Sequence, residues 1–247
     1  MIQSGRLIMN SFRGDFEIIQ KKDGSLCTSV DIQVEHLLRQ GLHEINPDAG
    51  IIGEELGVQE SQFAQNHDWH WVIDPLDGTK NFIHGIPHFC VMVALTYKNN
   101  PVMSAIYLPV TDDLYYAEEG KGLWLNKDRQ IVYQDAVFVR KGSLVVCPQG
   151  VFAGMRTKAN SKNIIISKRY FGSAGIDAIY LATGAIDFLM FENIAWWDVA
   201  PGILCIAESQ GLRYAYKQDN KKTLSGDFAA GNKLFFDIFH NNHEQNL

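Results

Sequence analysis

Asp74-Pro75-Leu76-Asp77-Gly78-Thr79-Lys80-Asn81-Phe82 follows directly on the apolar run Trp69 to Ile73, and the acidic pair Glu54-Glu55 lies about twenty residues earlier. A strand of that kind projects its last residues into a loop at the sheet edge. The spacing therefore predicts that the two aspartates, three residues apart around a Pro-Leu turn, aim at one point. Carboxylate oxygens at such spacing suit a hard cation such as Mg²⁺. Gly78-Thr79 predicts a helix start, where free backbone N–H groups can hold a phosphate. Metal and phosphate at one address imply phosphoryl chemistry. The same residues also have plain structural uses, since Asp-Pro and Asp-Gly are ordinary turn dipeptides and Thr79 can be a simple N-cap.

The surrounding chain narrows the classes. At 247 residues it can form one large domain or two modest ones with ample core. Twenty-two Lys and Arg against 28 Asp and Glu leave a net charge of −6, which argues against nucleic acid as the main ligand. Cys27, Cys90, Cys147 and Cys205 lie far apart in or beside apolar runs and form no CxxC pair. That pattern predicts buried free thiols in a reducing cytoplasm. His67 with His70 and His84 with His88 come closest to ligand spacing, but Gly85 and Pro87 keep the latter pair off one helical face, so no histidine metal site is expected. The first residues lack the layout of a signal peptide. The longest apolar stretch, Phe89 to Tyr97, is far short of a bilayer span. A cytoplasmic protein without membrane contact is the expectation.

Along the chain, Gly5 to Phe12 predicts part of a helix that begins abruptly, and Phe16 to Ile19 a short strand running into the turn Lys21 to Ser25. Val30, Val34, Leu37, Leu38, Leu42 and Ile45 recur at helical spacing from Ser29 to the stop at Asn46-Pro47. Short strands are predicted at Ile51-Ile52, Trp69 to Ile73, Phe89 to Tyr97, Val102 to Leu108, Leu114 to Glu118 and Leu123 to Leu125, with a polar loop from Ser61 to His67. Beyond these come apolar runs at Ser143 to Cys147 and Ile164 to Ser167, joined by Gly150 to Asn163. A helix opens at Gly172-Ser173-Ala174-Gly175 and closes at Gly184, and Ile186 to Phe191 is a strand. A further helix runs from Asp198 to Ser209, with Pro201 in its first turn and Gly211 past its end. Two α/β lobes packed as one unit, 1–142 and 143–247, fit this rhythm.

Glu54, Asp74, Asp77 and Asp198 each stand at a strand end or helix start, where sheet-based folds present functional groups. Buried together, they would repel one another unless cations neutralised them. Asp198 can equally serve a helix dipole, Thr28 and Asp31 can be an N-cap and first-turn acid, and Lys22 a solvated turn lysine.

The blocks Lys22-Asp23-Gly24-Ser25 with Thr28 and Asp31, Gly53-Glu54-Glu55, Asp74 to Phe82, Gly172-Ser173-Ala174 and Trp197-Asp198-Val199-Ala200 stand in an order that resembles the inositol monophosphatase family of metal-dependent, lithium-sensitive phosphatases. The resemblance runs from residue 22 to residue 211. It implies a layered α/β/α/β/α fold, usually homodimeric, and two Mg²⁺ ions with a weaker third. Glu54, Asp74 and the Leu76 carbonyl would hold the first ion, and Asp74, Asp77 and Asp198 the second. Thr79 paired with Asp31 would stand near the nucleophilic water with Glu54, and Lys22 close by. Gly78 and Thr79 would bind phosphate through backbone N–H groups. Gly172, Ser173, Ala174, Asp198 and Glu192 would meet the substrate, Glu192 through a sugar or cyclitol hydroxyl.

The implied reaction is hydrolysis of a small phosphate monoester without a covalent intermediate. Asn81-Phe82 followed by His84-Gly85 and Pro87 resembles the inositol branch, with inositol 1-phosphate as substrate. Fructose 1,6-bisphosphate, histidinol phosphate and 3′-phosphoadenosine 5′-phosphate are the alternatives, and a regulatory member of the fold is the non-enzymatic one. Departures from the family pattern are Pro201, the Glu208 to Gly211 segment, a short stretch from Asn126 to Asn163, and Glu192 lying six rather than seven residues before Asp198.

Overall fold

The computed structural model describes residues 1–60, 68–130, 142–209, 212–218 and 224–239. The loop expected at Ser61 to His67 and the helix stop expected at Gly211 lie outside them. The chain opens with α1 (Ile2–Ser11), a ribbon of β1 (Ile18–Gln20) and β2 (Leu26–Thr28), and α2 (Ser29–Ile45). Next come β3 (Gly50–Gly53), β4 (Gly57–Gln59), β5 (Trp69–Asp77), the short α3 (Thr79–Ile83), β6 (Cys90–Tyr97), β7 (Asn100–Leu108), β8 (Asp113–Glu118), β9 (Gly122–Leu125) and β10 (Asp128–Gln130). The second half runs β11 (Ser143–Val146), α4 (Gln149–Ser161), β12 (Ile166–Arg169), α5 (Ala174–Ala182), β13 (Phe188–Ala195), α6 (Trp196–Glu208), β14 (Leu212–Gln218), β15 (Ser225–Asn232) and α7 (Lys233–Phe239).

β3 to β10 form an eight-stranded sheet in the order β10-β9-β8-β7-β6-β5-β3-β4, antiparallel except for the parallel pair β3–β5. β11 to β15 form a five-stranded sheet in the order β12-β11-β13-β15-β14. Both faces of each sheet are covered. In β6, Val91, Val93 and Leu95 pack toward α1 and α2, while Cys90, Met92 and Ala94 pack toward α5 and α6. In β13, Leu189 faces that same middle layer, and Phe188 and Met190 face α4 and α7. Strands covered on both sides read as unbroken apolar runs rather than alternating ones. The result is the expected α/β/α/β/α sandwich.

The middle layer is largely apolar, as helices buried between two sheets must be. α5 buries Ile176, Ala178, Ile179, Leu181 and Ala182, and α6 buries nine residues from Trp196 to Ile206. α6 begins two residues earlier than the pattern predicts, so Pro201 falls in its second turn rather than its first. α4 replaces the expected connection between residues 150 and 163; it buries only Met155 and Ala159, too few to mark it by periodicity. β14, β15 and α7 add to what the pattern predicts. All four cysteines are buried and unpaired.

α1 rests on the sheet through Gly5, where a Cβ would stand 2.1 Å from Tyr107 Cε1 and 3.1 Å from Pro109 Cβ. Gly5→Ala should therefore lift α1 and cost about 1–3 kcal/mol. A lower urea midpoint at unchanged slope is the expected result, and an unaltered midpoint would contradict the contact.

Candidate metal centre

Backbone pairing brings the acids together. In the parallel β3–β5 register Gly53 stands opposite Ile73, and the next N–H, that of Glu54, donates to the Ile73 carbonyl at 3.3 Å. Glu54 and Asp74 thus leave adjacent strands side by side. The pattern predicts that the strand ends at Ile73, with both aspartates in a loop. The structure corrects this: β5 continues to Asp77, and a bulge against β6 separates the pairs Asp74–Met92 and Asp77–Cys90. Pro75 has no N–H to lose at such a place, and the bulge re-aims the flanking side chains. Asp74 Oδ1 accepts from the Leu76 N–H at 3.0 Å, and the fully buried Leu76 side chain anchors the segment. Gly78 then turns the chain into α3 at φ 91°, where a Cβ would meet the His88 carbonyl at 2.8 Å.

Asp198 arrives from α6, in its first turn. Glu54, Asp74 and Asp198 each offer an oxygen, all within 4.8 Å of one another. Burial first, then the other carboxylates, push Asp74 and Asp198 well above the usual carboxylate range. Burial also raises Glu54, although Lys21 opposes it.

Asp77, which the resemblance assigns to the second ion, also meets the start of α5. Its carboxylate accepts from Ser173 Oγ at 2.5 Å, Gly175 N–H at 2.7 Å and Ala174 N–H at 3.1 Å, at the start of α5. Cys90 Sγ donates to it at 3.4 Å. Burial raises Asp77, and these hydrogen bonds work against that rise. Its charge is still felt by Asp74 and Asp198.

Other expected site residues fall in three groups. Thr79 Oγ1 lies 3.0 Å from both Asp31 Oδ1 and the Leu76 carbonyl, so the Thr79–Asp31 pair forms as the resemblance implies. Asp31 is held in turn by the capping box of α2, accepting from the Thr28 N–H at 2.8 Å and from the Thr28 hydroxyl. Ser173 and Ala174 grip Asp77, and Gly172, at φ 76°, packs against Asn81. Asn81 Nδ2 bridges the His88 and Phe171 carbonyls at 2.7 Å each, tying α3 to the approach of α5.

Lys22 and Glu192 do not join the centre. Lys22 is exposed, and its neighbour Lys21 reaches in, with Nζ 2.8 Å from Glu54 Oε1 and 2.8 Å from Glu55 Oε1. The turn closed by Lys21 N–H to the Ser25 carbonyl and Gly24 N–H to the Lys21 carbonyl places Lys21 toward the acids and Lys22 in solvent. Burial works against the Lys21 ammonium, but the two carboxylates more than offset it and hold its pKa above the ordinary value. Glu192 is exposed at a bulge of β13, where Asn193 takes φ 51°, and it faces a separate cavity. Sequence reasoning also missed Asp177, a carboxylate 2 % exposed on α5 that burial first and Asp77 second push up to about 8.

The donors gathered here are oxygen, hard and mostly anionic: Glu54, Asp74, Asp198 and the nearby Asp77. Among the described residues, Lys21 is the only cation in hydrogen-bonding contact with them. Five acids with Glu55, against one ammonium, fit a hard divalent ion such as Mg²⁺.

A double-covered α/β/α/β/α sandwich with an all-oxygen acidic centre at a strand bulge has the architecture of the metal-dependent phosphatases. A sequence profile of the inositol monophosphatase family matches residues 1–246, and the chain belongs to that family. An inositol-1-monophosphatase of Caulobacter vibrioides is 31% identical, covering 85% of this chain and 86% of its own. The Nus factor SuhB of Xylella fastidiosa is 34% identical over 87% of this chain and 80% of its own. The crystal structure of the extragenic suppressor protein suhB from Bartonella henselae superposes with a TM-score of 0.80 at 25% identity, covering 97% of this chain and 93% of that one.

Gly175 is where α5 meets the sulfur atoms of the sheet. A Cβ there would stand 2.2 Å from Met92 Sδ and 2.5 Å from Cys90 Sγ. Gly175→Ala should cost about 1–3 kcal/mol and loosen Asp77. In a Cys90→Ala, Met92→Ala background the cost should be much smaller; equal costs in the two backgrounds, by urea unfolding, would contradict the contact.

Burial holds Glu55 at about 7, and Asp74 and Asp198 well above their ordinary values. A carboxyl raised on folding stabilises the fold when protonated. That contribution is complete below about pH 4 and is lost as pH climbs through the folded value. In EDTA the melting temperature should therefore fall as pH rises from about 5.5 to about 8.5. Mg²⁺ at a hundred times its dissociation constant should add about 3 kcal/mol. A larger Mg²⁺ effect at pH 5.5 than at pH 8.5 in thermal melts would contradict this assignment.

Proposed function

We propose that this protein hydrolyses a small phosphate monoester, inositol 1-phosphate or a similar polyol phosphate, with Mg²⁺ held by Glu54, Asp74, the Leu76 carbonyl, Asp77 and Asp198. The observation that carries the reading is the Glu54–Asp74–Asp198 trio within 4.8 Å, with the bulge after Asp74 leading straight to Thr79 and its partner Asp31. Solved structures of the same fold include one complexed with Mg²⁺ and phosphate and one with inositol monophosphate bound, which supports a small phosphorylated substrate.

Mg²⁺ bound there would supply positive charge to the phosphoryl oxygens and lower the pKa of water. The chain's own groups do the rest. Asp31 fixes the Thr79 hydroxyl as donor toward its carboxylate, which leaves the threonine lone pairs free to accept from an incoming water and orient it. Glu54 lies within reach as an acceptor for the proton that water sheds. Lys21 holds Glu54 in place and balances its charge. The Gly78 and Thr79 N–H groups are the phosphate contacts. In the net step, water oxygen bonds to phosphorus, the ester P–O bond breaks, and the departing alcohol oxygen takes a proton. Little covalent chemistry is asked of the protein, so positioning and charge neutralisation carry the rate. A homodimer is the assembly the resemblance favours.

The likeness to the Nus factor favours a second reading, a regulatory member that binds without turnover. The complete acidic set favours turnover. Phosphate release separates them: with Mg²⁺, inositol 1-phosphate should be cleaved faster than histidinol phosphate or 3′-phosphoadenosine 5′-phosphate. EDTA should abolish the release, and Asp198→Asn should reduce it to near that background without altering the circular dichroism spectrum. Wild-type-like turnover by Asp198→Asn would sink the assignment, and no release from any ester would leave the regulatory reading standing.

A further inference from the structure

The five-stranded sheet contains a topological switch point. Chain order sends β11 through α4 to β12 on one side, and β12 through α5 to β13 on the other, with β11 between them and both pairs parallel. α4 packs on the outer face and α5 on the inner face of the sheet. In open sheets of this kind the two connections part beyond the carboxyl end of the central strand, and ligands settle in the crevice they leave. A cavity of about 380 Å³ lies there. Its walls include Cys147 and Gln149 beyond β11, Lys168 from β12 and Tyr170 just past it, and Phe191 and Glu192 from β13.

Short lengths of chain join this cavity to the acidic centre. Tyr170 is three residues from Ser173, which grips Asp77, so their Cα atoms are at most about 11 Å apart. Ile194, also in the cavity wall, is four residues from Asp198, at most about 14 Å. A substrate whose phosphate meets the centre can thus extend its remaining atoms toward the crevice.

The cavity carries one charge of each sign. Lys168 Nζ, half-buried, donates to Gln149 Oε1 at 2.9 Å, which orients the ammonium and leaves two of its three protons for a ligand. Glu192 offers an acceptor for hydroxyls. Both charges bear on the Cys147 thiol, which burial pushes up to about 11, Lys168 lowering and Glu192 raising it.

We propose that this crevice receives the part of the substrate that is not hydrolysed, and that Lys168 selects phosphorylated polyols carrying a second anionic group, a phosphate or a carboxylate. This rests on the phosphatase reading above. Lys168 is a specificity-determining residue, outside the reacting centre.

The test compares wild type, Lys168→Met and Lys168→Arg with Mg²⁺ on a hexose bisphosphate, a phosphorylated sugar acid, inositol 1-phosphate and p-nitrophenyl phosphate. The ratio of kcat/KM for the bisphosphate or the sugar acid to that for the aryl phosphate should fall at least tenfold in Lys168→Met. The loss should lie in KM, and Lys168→Arg should recover most of it. The two doubly charged substrates tell a second phosphate from a carboxylate. A ratio that does not move, or an equal loss on all four substrates, overturns the proposal. If the wild type cleaves none of them, the phosphatase reading falls, and calorimetric titration with the hexose bisphosphate decides the crevice alone. Binding weakened in Lys168→Met keeps it; equal or undetectable binding ends it.

Discussion

Carboxylates buried within reach of one another resist being there, and much of this fold is organised around that resistance. Glu54, Asp74, Asp77 and Asp198 gain nothing from burial and repel their neighbours. Each is therefore fixed by something that does not depend on its charge. Strand pairing holds Glu54, a bulge and a buried leucine hold Asp74, and a helix buried along most of its length delivers Asp198. Lys21 offsets part of the repulsion at one edge, and the start of α5 offsets part at another.

The middle helical layer links architecture to chemistry. α5 and α6 both start at the acidic centre, and the partial positive charge of a helix N-terminus favours acids placed there. Asp77 takes up the first N–H groups of α5, and Asp198 sits in the first turn of α6. These are the helices whose apolar surfaces fill the space between the sheets. Packing that holds the two sheets together thereby also sets the distance between their acids. Gly175 and Gly202 let this layer close tightly, the latter with a notional Cβ 2.7 Å from Ala178 Cβ.

The sequence made legible those features that rest on local chemistry. Apolar periodicity marked α2, with Thr28 as its cap and Asn46 as its end. Acids at strand ends and helix starts marked the centre, and the motif order implied the sandwich. What stayed hidden depends on partners distant in the chain. Nothing near residue 77 announces that its carboxylate is satisfied by residues 173 to 175. Lys21 and Lys22 are chemically alike, and only the turn between β1 and β2 decides which enters. Glu192 sits beside a bulge, where one added residue changes the direction a side chain faces. α4 buries only Met155 and Ala159, so its periodicity carried little signal.

Glu54 and Asp74 belong to the first half of the chain and Asp198 to the second. During translation the first two acids are made long before the third, and α6, which brings it, must also be complete before the space between the sheets can fill. The complete acidic trio consequently requires a chain that extends past α6. A nascent chain that stops short of the Trp197-Asp198 block carries Glu54 and Asp74 without the helix that brings the third acid to them.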